Sequence, residues 1–332
     1  MTTASRTVVV TGSVAYDYLM TFPGSFIEHF LPDRLHRISV SFLVDEMRRV
    51  RGGCAPNIAY GLAQFGERPR IVAAAGRDAS DYRDWLAAQG IDVSRLVIRD
   101  DLFTASFFVS TDREQNQIAS FYAGAMARAA ELTALDGGPK PAWVVVSPND
   151  PAAMMRYPRE CRAAGVPFVY DPSQQVARLS GAELREGLEG AAVFICNEYE
   201  FGIVSQKTGL GEDELLASVA TLIVTQGPEG STIRTAHERQ RIPPARLRGE
   251  AADPTGVGDA YRGALLAGML RGYPWALSGR IASVAAAYCL EAVGPQPPRF
   301  SADDFRERFR ENFGDATALD GLFPAAGTPA GS

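Results

Sequence analysis

From Ala142 onward the chain keeps one rhythm. Four short apolar runs, AWVVVS (Ala142–Ser147), PFVYD (Pro167–Asp171), AVFICN (Ala191–Asn197) and TLIVTQG (Thr221–Gly227), alternate with segments that suit helices. Runs that are apolar at nearly every position belong in a sheet covered on both faces. Strands that alternate with helices build a parallel sheet, because each helix carries the chain back to the starting edge. Two earlier runs join the pattern: Thr7–Thr11, which ends at Gly12, and RIVAAAG (Arg70–Gly76). Helices are expected at Asn57–Phe65, stopped by Gly66, and within SDYRDWLAAQG (Ser80–Gly90), which opens on a capping serine and closes on glycine. Two long helices, Asp259–Arg271 and Leu277–Leu290, should close the chain, and the Ala/Gly/Pro-rich tail after Gly314 should fray.

Two stretches break the rhythm. Residues 14–49 are aromatic-rich, interrupted by Pro23 and Pro32, with one strand expected at HRISVSFLV (His36–Val44). Residues 99–122 hold two strand-like runs, TASFFVST and QIASFYAG, joined by DREQNQ, the pattern of a hairpin. The expected fold is therefore α/β. A three-layer α/β/α core with a mainly parallel sheet would comprise residues 1–13, 50–98 and 123–332. The two interruptions, 14–49 and 99–122, would pair into a small β-sheet lid over one end of it. Open α/β sheets bind ligands beyond the carboxyl ends of their strands, which is where such a lid would sit.

The bulk properties narrow the partners. With 46% hydrophobic residues and a net charge of -6, the chain has material for a large core and no basic excess to suggest a nucleic-acid partner. The four cysteines, Cys54, Cys161, Cys196 and Cys289, lie far apart and read as buried thiols in a reducing compartment. The N-terminus lacks a secretory pattern and no apolar stretch approaches a membrane span, so a cytoplasmic protein with no membrane partner is expected.

The chemistry concentrates in DPTGVGDAYRGALLAGM (Asp253–Met269). Gly256 and Gly258 allow close approach of a ligand at the start of an apolar helix, where free amides and the helix dipole favour an anion. Asp259 places a carboxylate beside that anion hole. It would repel a resting phosphate, so its presence makes sense if it removes a proton from an incoming hydroxyl during phosphoryl transfer. The plainer reading is that Asp259 caps the helix. Two other phosphate motifs are ruled out. GIVSQKT (Gly202–Thr208) lacks the glycine that precedes lysine in a P-loop, and Tyr261 stands where a dinucleotide fold needs its third small residue.

At this loop the sequence resembles the PfkB, or ribokinase-like, family of sugar and nucleoside kinases. Three further elements carry the resemblance in family order: GGCAPN (Gly52–Asn57), NEYE (Asn197–Glu200) and TQGPEG (Thr225–Gly230). TGSVAYDYLMTFPGSF, DPSQQVARLSG and DPTGVGDAYR are similar to bacterial adenosine kinases of the mycobacterial type. The resemblance implies ATP-dependent phosphorylation of adenosine at its 5′-hydroxyl, giving AMP in purine salvage.

That resemblance also assigns residues. Asp259 would be the base, with Gly256, Val257 and Gly258 forming the anion hole and Arg178 near the transferring phosphate. Asp17, Gly53 and Asn57 would bind ribose, with Ser13 and Ser41 beside them. Phe107 and Phe121 would stack on the base, and Gln174 and Gln175 would lie near the nucleoside. Asn197, Thr225, Gly227 and Gly230 would hold ATP together with Gly256 and Gly258, and Glu200 would organise Mg²⁺ through water. The family also uses K⁺ near the anion hole, with no ligands assignable here, and the open edges of a lid sheet suggest a homodimer formed through it. Three alternatives remain: a kinase of the same fold for another nucleoside, ribose or fructose phosphate; a nucleoside-binding protein without catalysis; and, least supported, a dinucleotide-dependent oxidoreductase. DREQNQ offers only Arg113 as a basic lid residue, which argues against a phosphorylated sugar.

Overall fold

A computed structural model describes residues 7–30, 37, 39–135 and 139–324. The chain enters through β1 (Val8–Thr11), leaves the core for β2 (Ala15–Thr21) and β3 (Glu46–Gly52), and returns through α1 (Cys54–Ala63), β4 (Arg70–Gly76), α2 (Ser80–Ala88) and β5 (Asp92–Arg99). A second departure forms β6 (Ala105–Thr111) and β7 (Gln117–Tyr122). Regular alternation follows: β8 (Trp143–Val146), α3 (Pro151–Ala164), β9 (Phe168–Tyr170), α4 (Gly181–Leu188), β10 (Val193–Asn197), α5 (Glu198–Thr208), α6 (Glu212–Ser218) and β11 (Thr221–Thr225). The hairpin β12 (Ser231–Thr235) and β13 (Arg239–Ile242) precedes α7 (Val257–Leu270), α8 (Trp275–Leu290) and α9 (Ala302–Phe313).

Nine strands form the main sheet in the order β13-β12-β11-β10-β9-β8-β1-β4-β5. Those from β11 to β5 run parallel, and β12 and β13 add an antiparallel edge. Side chains alternate between the faces of a strand. Thus Val8 and Val10 join a core with α1, α7, α8 and α9, while Val9 joins the opposite core with α3, α4 and α5. Both faces are filled, which explains why the strands read as continuous apolar runs. The fold is the three-layer α/β arrangement expected, with a smaller, separate sheet in the order β3-β2-β6-β7.

Helices α1 and α7 touch backbone to backbone. A methyl group at Gly263 would lie 2.8 Å from the Ile58 carbonyl oxygen, so only glycine admits this approach. The contact sets Asn57 of α1 against the first turn of α7.

Several sequence expectations need correction. Residues 39–44 of the expected His36–Val44 strand have no regular structure, and His36 and Ile38 lie outside the described residues. The strands of that region are β2 and β3, and the EMRRVRG sequence of β3 hides its period behind three arginines. Strands β2, β5, β12 and β13 also lie outside the sequence expectations. The closing helices are three rather than two, because α9 follows α8. Nor does the chain fray at Gly314: Leu319, Leu322 and Phe323 pack into the larger core, while residues 325–332 lie outside the described residues. No helix among the described residues is long and apolar enough to cross a membrane.

Candidate active site

Asn57 in α1, Asp171 just after β9 and Glu200 just after β10 lie around Asp259 in the first turn of α7. Gly256 is the residue before α7 and has φ +78°. A methyl there would sit 2.3 Å from Pro295 Cβ, so strain and crowding both require glycine. The Val257 amide turns back to the Pro254 carbonyl at 3.4 Å. The amides of Gly258 and Asp259 have no intrachain acceptor among the described residues, as expected in a helix's first turn. Asp253 stabilises the preceding loop by accepting from the Thr255 and Gly294 amides at 2.8 and 3.0 Å.

Asp259 does not cap this helix. It stands in the first turn of α7, but no side-chain capping bond forms there. Instead its Oδ2 accepts from Asn57 Nδ2 at 3.0 Å. Asn57 is not a cap either; it is 6% exposed within α1, and its Oδ1 accepts from Gln296 Nε2 at 2.9 Å. Gln296 also donates to the Tyr82 hydroxyl, which donates to the Gly52 carbonyl. This chain of hydrogen bonds fixes the orientation of the Asn57 amide, which in turn holds Asp259. Pro56 falls in the first turn of α1, where a missing N–H costs no helical bond. The amides of Cys54 and Ala55 there bond to the side chain and carbonyl of Ser13, so Ser13 serves as the cap of α1.

Burial raises the Asp259 carboxyl to about 7, with Asp171 and Glu200 pushing the same way and Arg262 and Asn57 opposing. A carboxylate poised there can act as a base near neutrality. Asp17 is likewise raised by burial to about 6, with Asp253 adding repulsion.

Asp17, Phe107 and Phe121 share one row across the smaller sheet. Asp17 pairs with Phe107, and Phe107 pairs with Phe121, so all three side chains leave the same face. Phe121 is half exposed and Phe107 is partly covered. Gly53, with φ +95°, precedes α1, and a methyl there would meet the Ser13 carbonyl oxygen at 2.5 Å. A methyl at Gly52 would lie 2.5 Å from Asp17 Oδ2, which places the Asp17 carboxylate against the glycine pair.

Other expected residues are less tightly gathered. Gln174 is exposed, with Nε2 4.0 Å from Cys54 Sγ at the start of α1. Gln175 is buried and donates to the Asn149 carbonyl at 2.8 Å, which gives it a structural partner. Arg178 is exposed and has no side-chain partner among the described residues. Ser41 lies on the exposed irregular segment, outside any regular element.

At the neighbouring strand ends, Asn197 and Thr225 pair in register across β10 and β11. Asn197 and Glu200 form a reciprocal capping box on α5: Asn197 Oδ1 accepts from the Glu200 amide at 2.7 Å, and Glu200 Oε2 from the Asn197 amide at 2.8 Å. Glu200 Oε1 has no partner among the described residues. One free carboxylate oxygen suits a magnesium ion that keeps most of its waters. Among the described residues no group of three or more His, Cys, Asp or Glu side chains could hold a metal directly. Gly227 and Gly230 bracket the next turn with φ +55° and +86°; a methyl at Gly230 would meet the Ile242 carbonyl oxygen at 2.1 Å.

The sequence reading missed Arg262, Asp171 and Gln296. Arg262 was legible as the residue one helical turn after Asp259, on the same face. Asp171 was visible as the last residue of a buried strand, but only the fold brings it to α7.

Comparison with known proteins identifies the family and the fold. The pfkB family carbohydrate kinase model matches residues 8–301. The chain belongs to that family. A nucleoside kinase of Methanothermobacter thermautotrophicus is 29% identical over 313 residues, covering 93% of this chain and 97% of that protein. The structure of Burkholderia thailandensis nucleoside kinase in complex with inosine is 38% identical, with a TM-score of 0.83 over 93% of this chain and 98% of that one. The same kinase has also been solved in complex with ADP-inosine, at 39% identity, a TM-score of 0.81 and coverage of 93% and 96%. Adenosine kinase from Sinorhizobium meliloti, at 20% identity and a TM-score of 0.71 over 93% of this chain and 99% of that one, shares the fold.

Proposed function

We propose that this chain is an ATP-dependent nucleoside kinase that phosphorylates the 5′-hydroxyl of a purine nucleoside, with adenosine as the leading acceptor. The observation that carries the reading is Asp259 itself. It lies beside two free amides in the first turn of α7, makes no cap, and is oriented by Asn57. In the forward step the acceptor oxygen bonds to the γ-phosphorus, the bond to the β-phosphate oxygen breaks, and Asp259 takes the hydroxyl proton. The amides of Gly258 and Asp259 would stabilise the transferring group, with Val257 and Gly256 shaping the loop and Arg178 free to swing toward it. Asp17, Gly53 and Asn57 would hold the ribose, flanked by Ser13 and Ser41, with Gln174 and Gln175 toward the base. Asn197, Thr225, Gly227 and Gly230 would line the ATP site, and Glu200 would position hydrated Mg²⁺, whose charge offsets that of the phosphates. The smaller sheet would act as a lid that excludes water.

Inosine is the second acceptor to test, because the Burkholderia thailandensis kinase was solved with it. A phosphorylated sugar is a third reading, favoured by one observation. Arg48 shares the Asp17 face of the smaller sheet, so that face carries a basic residue, whereas the hairpin's Arg113 pairs with Glu28. ADP release from MgATP with adenosine, inosine, cytidine, ribose and fructose phosphates separates these readings. Base stacking on an aromatic contributes about 1–3 kcal/mol. Phe107→Ala or Phe121→Ala should therefore raise KM for the nucleoside about tenfold and leave ribose turnover unchanged. An equal effect on ribose would remove the stacking assignment.

The other face of the smaller sheet carries exposed Met47, Phe108, Ile118 and Tyr122. We read this face and its free edges as the contact of a homodimer. Analytical ultracentrifugation should give twice the chain mass; a monomer at working concentrations overturns the reading.

A further inference from the structure

Three carboxylates, Asp259, Asp171 and Glu200, sit within electrostatic reach of one another, and one guanidinium serves them. Arg262 Nε lies 2.5 Å from Asp171 Oδ2, and Nη2 donates to Asp171 Oδ1 at 2.9 Å and to Ser173 Oγ at 3.0 Å. Nη1 faces the other way, 3.9 Å from Asp259 Oδ1. The Asp171 side chain is fully buried and that of Arg262 is 11% exposed. Space confines the guanidinium as well: a methyl at Gly258 would fall 2.5 Å from Nη1. The glycine of the anion loop therefore makes room for this cation as well as for a ligand.

We propose that Arg262 is a positioning residue that divides one positive charge between Asp171 and Asp259 and so keeps Asp259 in its ionised, proton-accepting form. The inference rests on the reading of Asp259 as the base. Burial drives Asp259 toward protonation, and a protonated carboxyl cannot receive the hydroxyl proton. The groups facing Asp259 are Arg262 from its own helix, Asp171 from the end of β9, Glu200 from α5, Asn57 and Cys54 from α1, and Cys289 from α8. Only Arg262 among them is a cation, and an arginine stays charged throughout the working pH range. Asp171 has two opposed effects: it repels Asp259 directly, and it engages two of the guanidinium's nitrogens, which leaves a weaker share for Asp259.

Two substitutions should move the acidic limb of kcat/KM in opposite directions. Asp171→Asn removes a negative neighbour and frees the guanidinium for Asp259, so the limb should move to lower pH. Arg262→Gln removes the cation and should move it up by about one pH unit or more, with activity partly recovered at alkaline pH. Arg262→Lys should restore the limb toward the wild-type position. A carboxyl-carbon NMR titration of Asp259 in the nucleotide-free protein should follow the same order, so this test does not require turnover. If Asp171→Asn and Arg262→Gln lower rates uniformly and leave both the limb and the NMR titration in place, the proposal is wrong. If the titrations move as stated while Asp259→Asn retains full activity, the electrostatic link stands and the base assignment fails.

Discussion

Asp259→Asn lowers kcat by about 10³-fold while nucleoside affinity stays near that of the wild type. The substitution is well matched to its site. Asparagine keeps an oxygen that can accept from Asn57 Nδ2, so the 3.0 Å hydrogen bond and the start of α7 survive. What is lost is the ability to take a proton. Steady-state kinetics with calorimetric nucleoside binding separates the two quantities, and equal loss of both would make Asp259 a binding residue. The wild-type pH profile is the companion measurement. A carboxylate base must be ionised to work, and burial raises Asp259 to about 7, so on the proposed reading kcat/KM should fall as pH drops below that value and level off above it. The Asn variant should lack this limb.

Arg308→Ala destabilises the fold by about 3 kcal/mol, the magnitude of breaking a buried ion pair from one side. Arg308 lies in α9 and is fully buried. Its two terminal nitrogens reach the Glu291 carboxylate at 2.8 and 2.7 Å, and Nη2 also donates to the Arg246 carbonyl. Its guanidinium lies 4.4 Å from the centre of the Tyr288 ring. The pair clamps α9 to the end of α8 and to the segment that precedes the glycine loop of α7. Denaturant titration reads the loss directly. A change under 1 kcal/mol would mean that Phe305 and Phe309 hold the helix unaided.

Helix α9 also shows where the sequence was opaque. ADDFRERFRENF is dominated by charge, and its apolar stripe rests on Phe305 and Phe309, one turn apart. Its buried arginine looks like a surface residue until Glu291 is found beside it. Strand β3 has the same difficulty, because Arg48, Arg49 and Arg51 interrupt any apolar alternation. The continuous runs of β1, β4, β8, β9, β10 and β11 posed no such problem, since a strand covered on both faces has little room for polar residues. The loop before α7 was legible because glycine and aspartate there have chemical reasons to be adjacent. Contacts made only by the fold were not legible: Asp171 meets Arg262 across 91 positions, and Asn57 meets Asp259 across 202.

The most direct test of the central claim is chemical identification of the products from adenosine and MgATP. Equal amounts of ADP and 5′-AMP are expected, formed together and nearly absent with Asp259→Asn. Phosphate released to water, phosphorylation at the 2′- or 3′-hydroxyl, or tight adenosine binding with no ADP would contradict it.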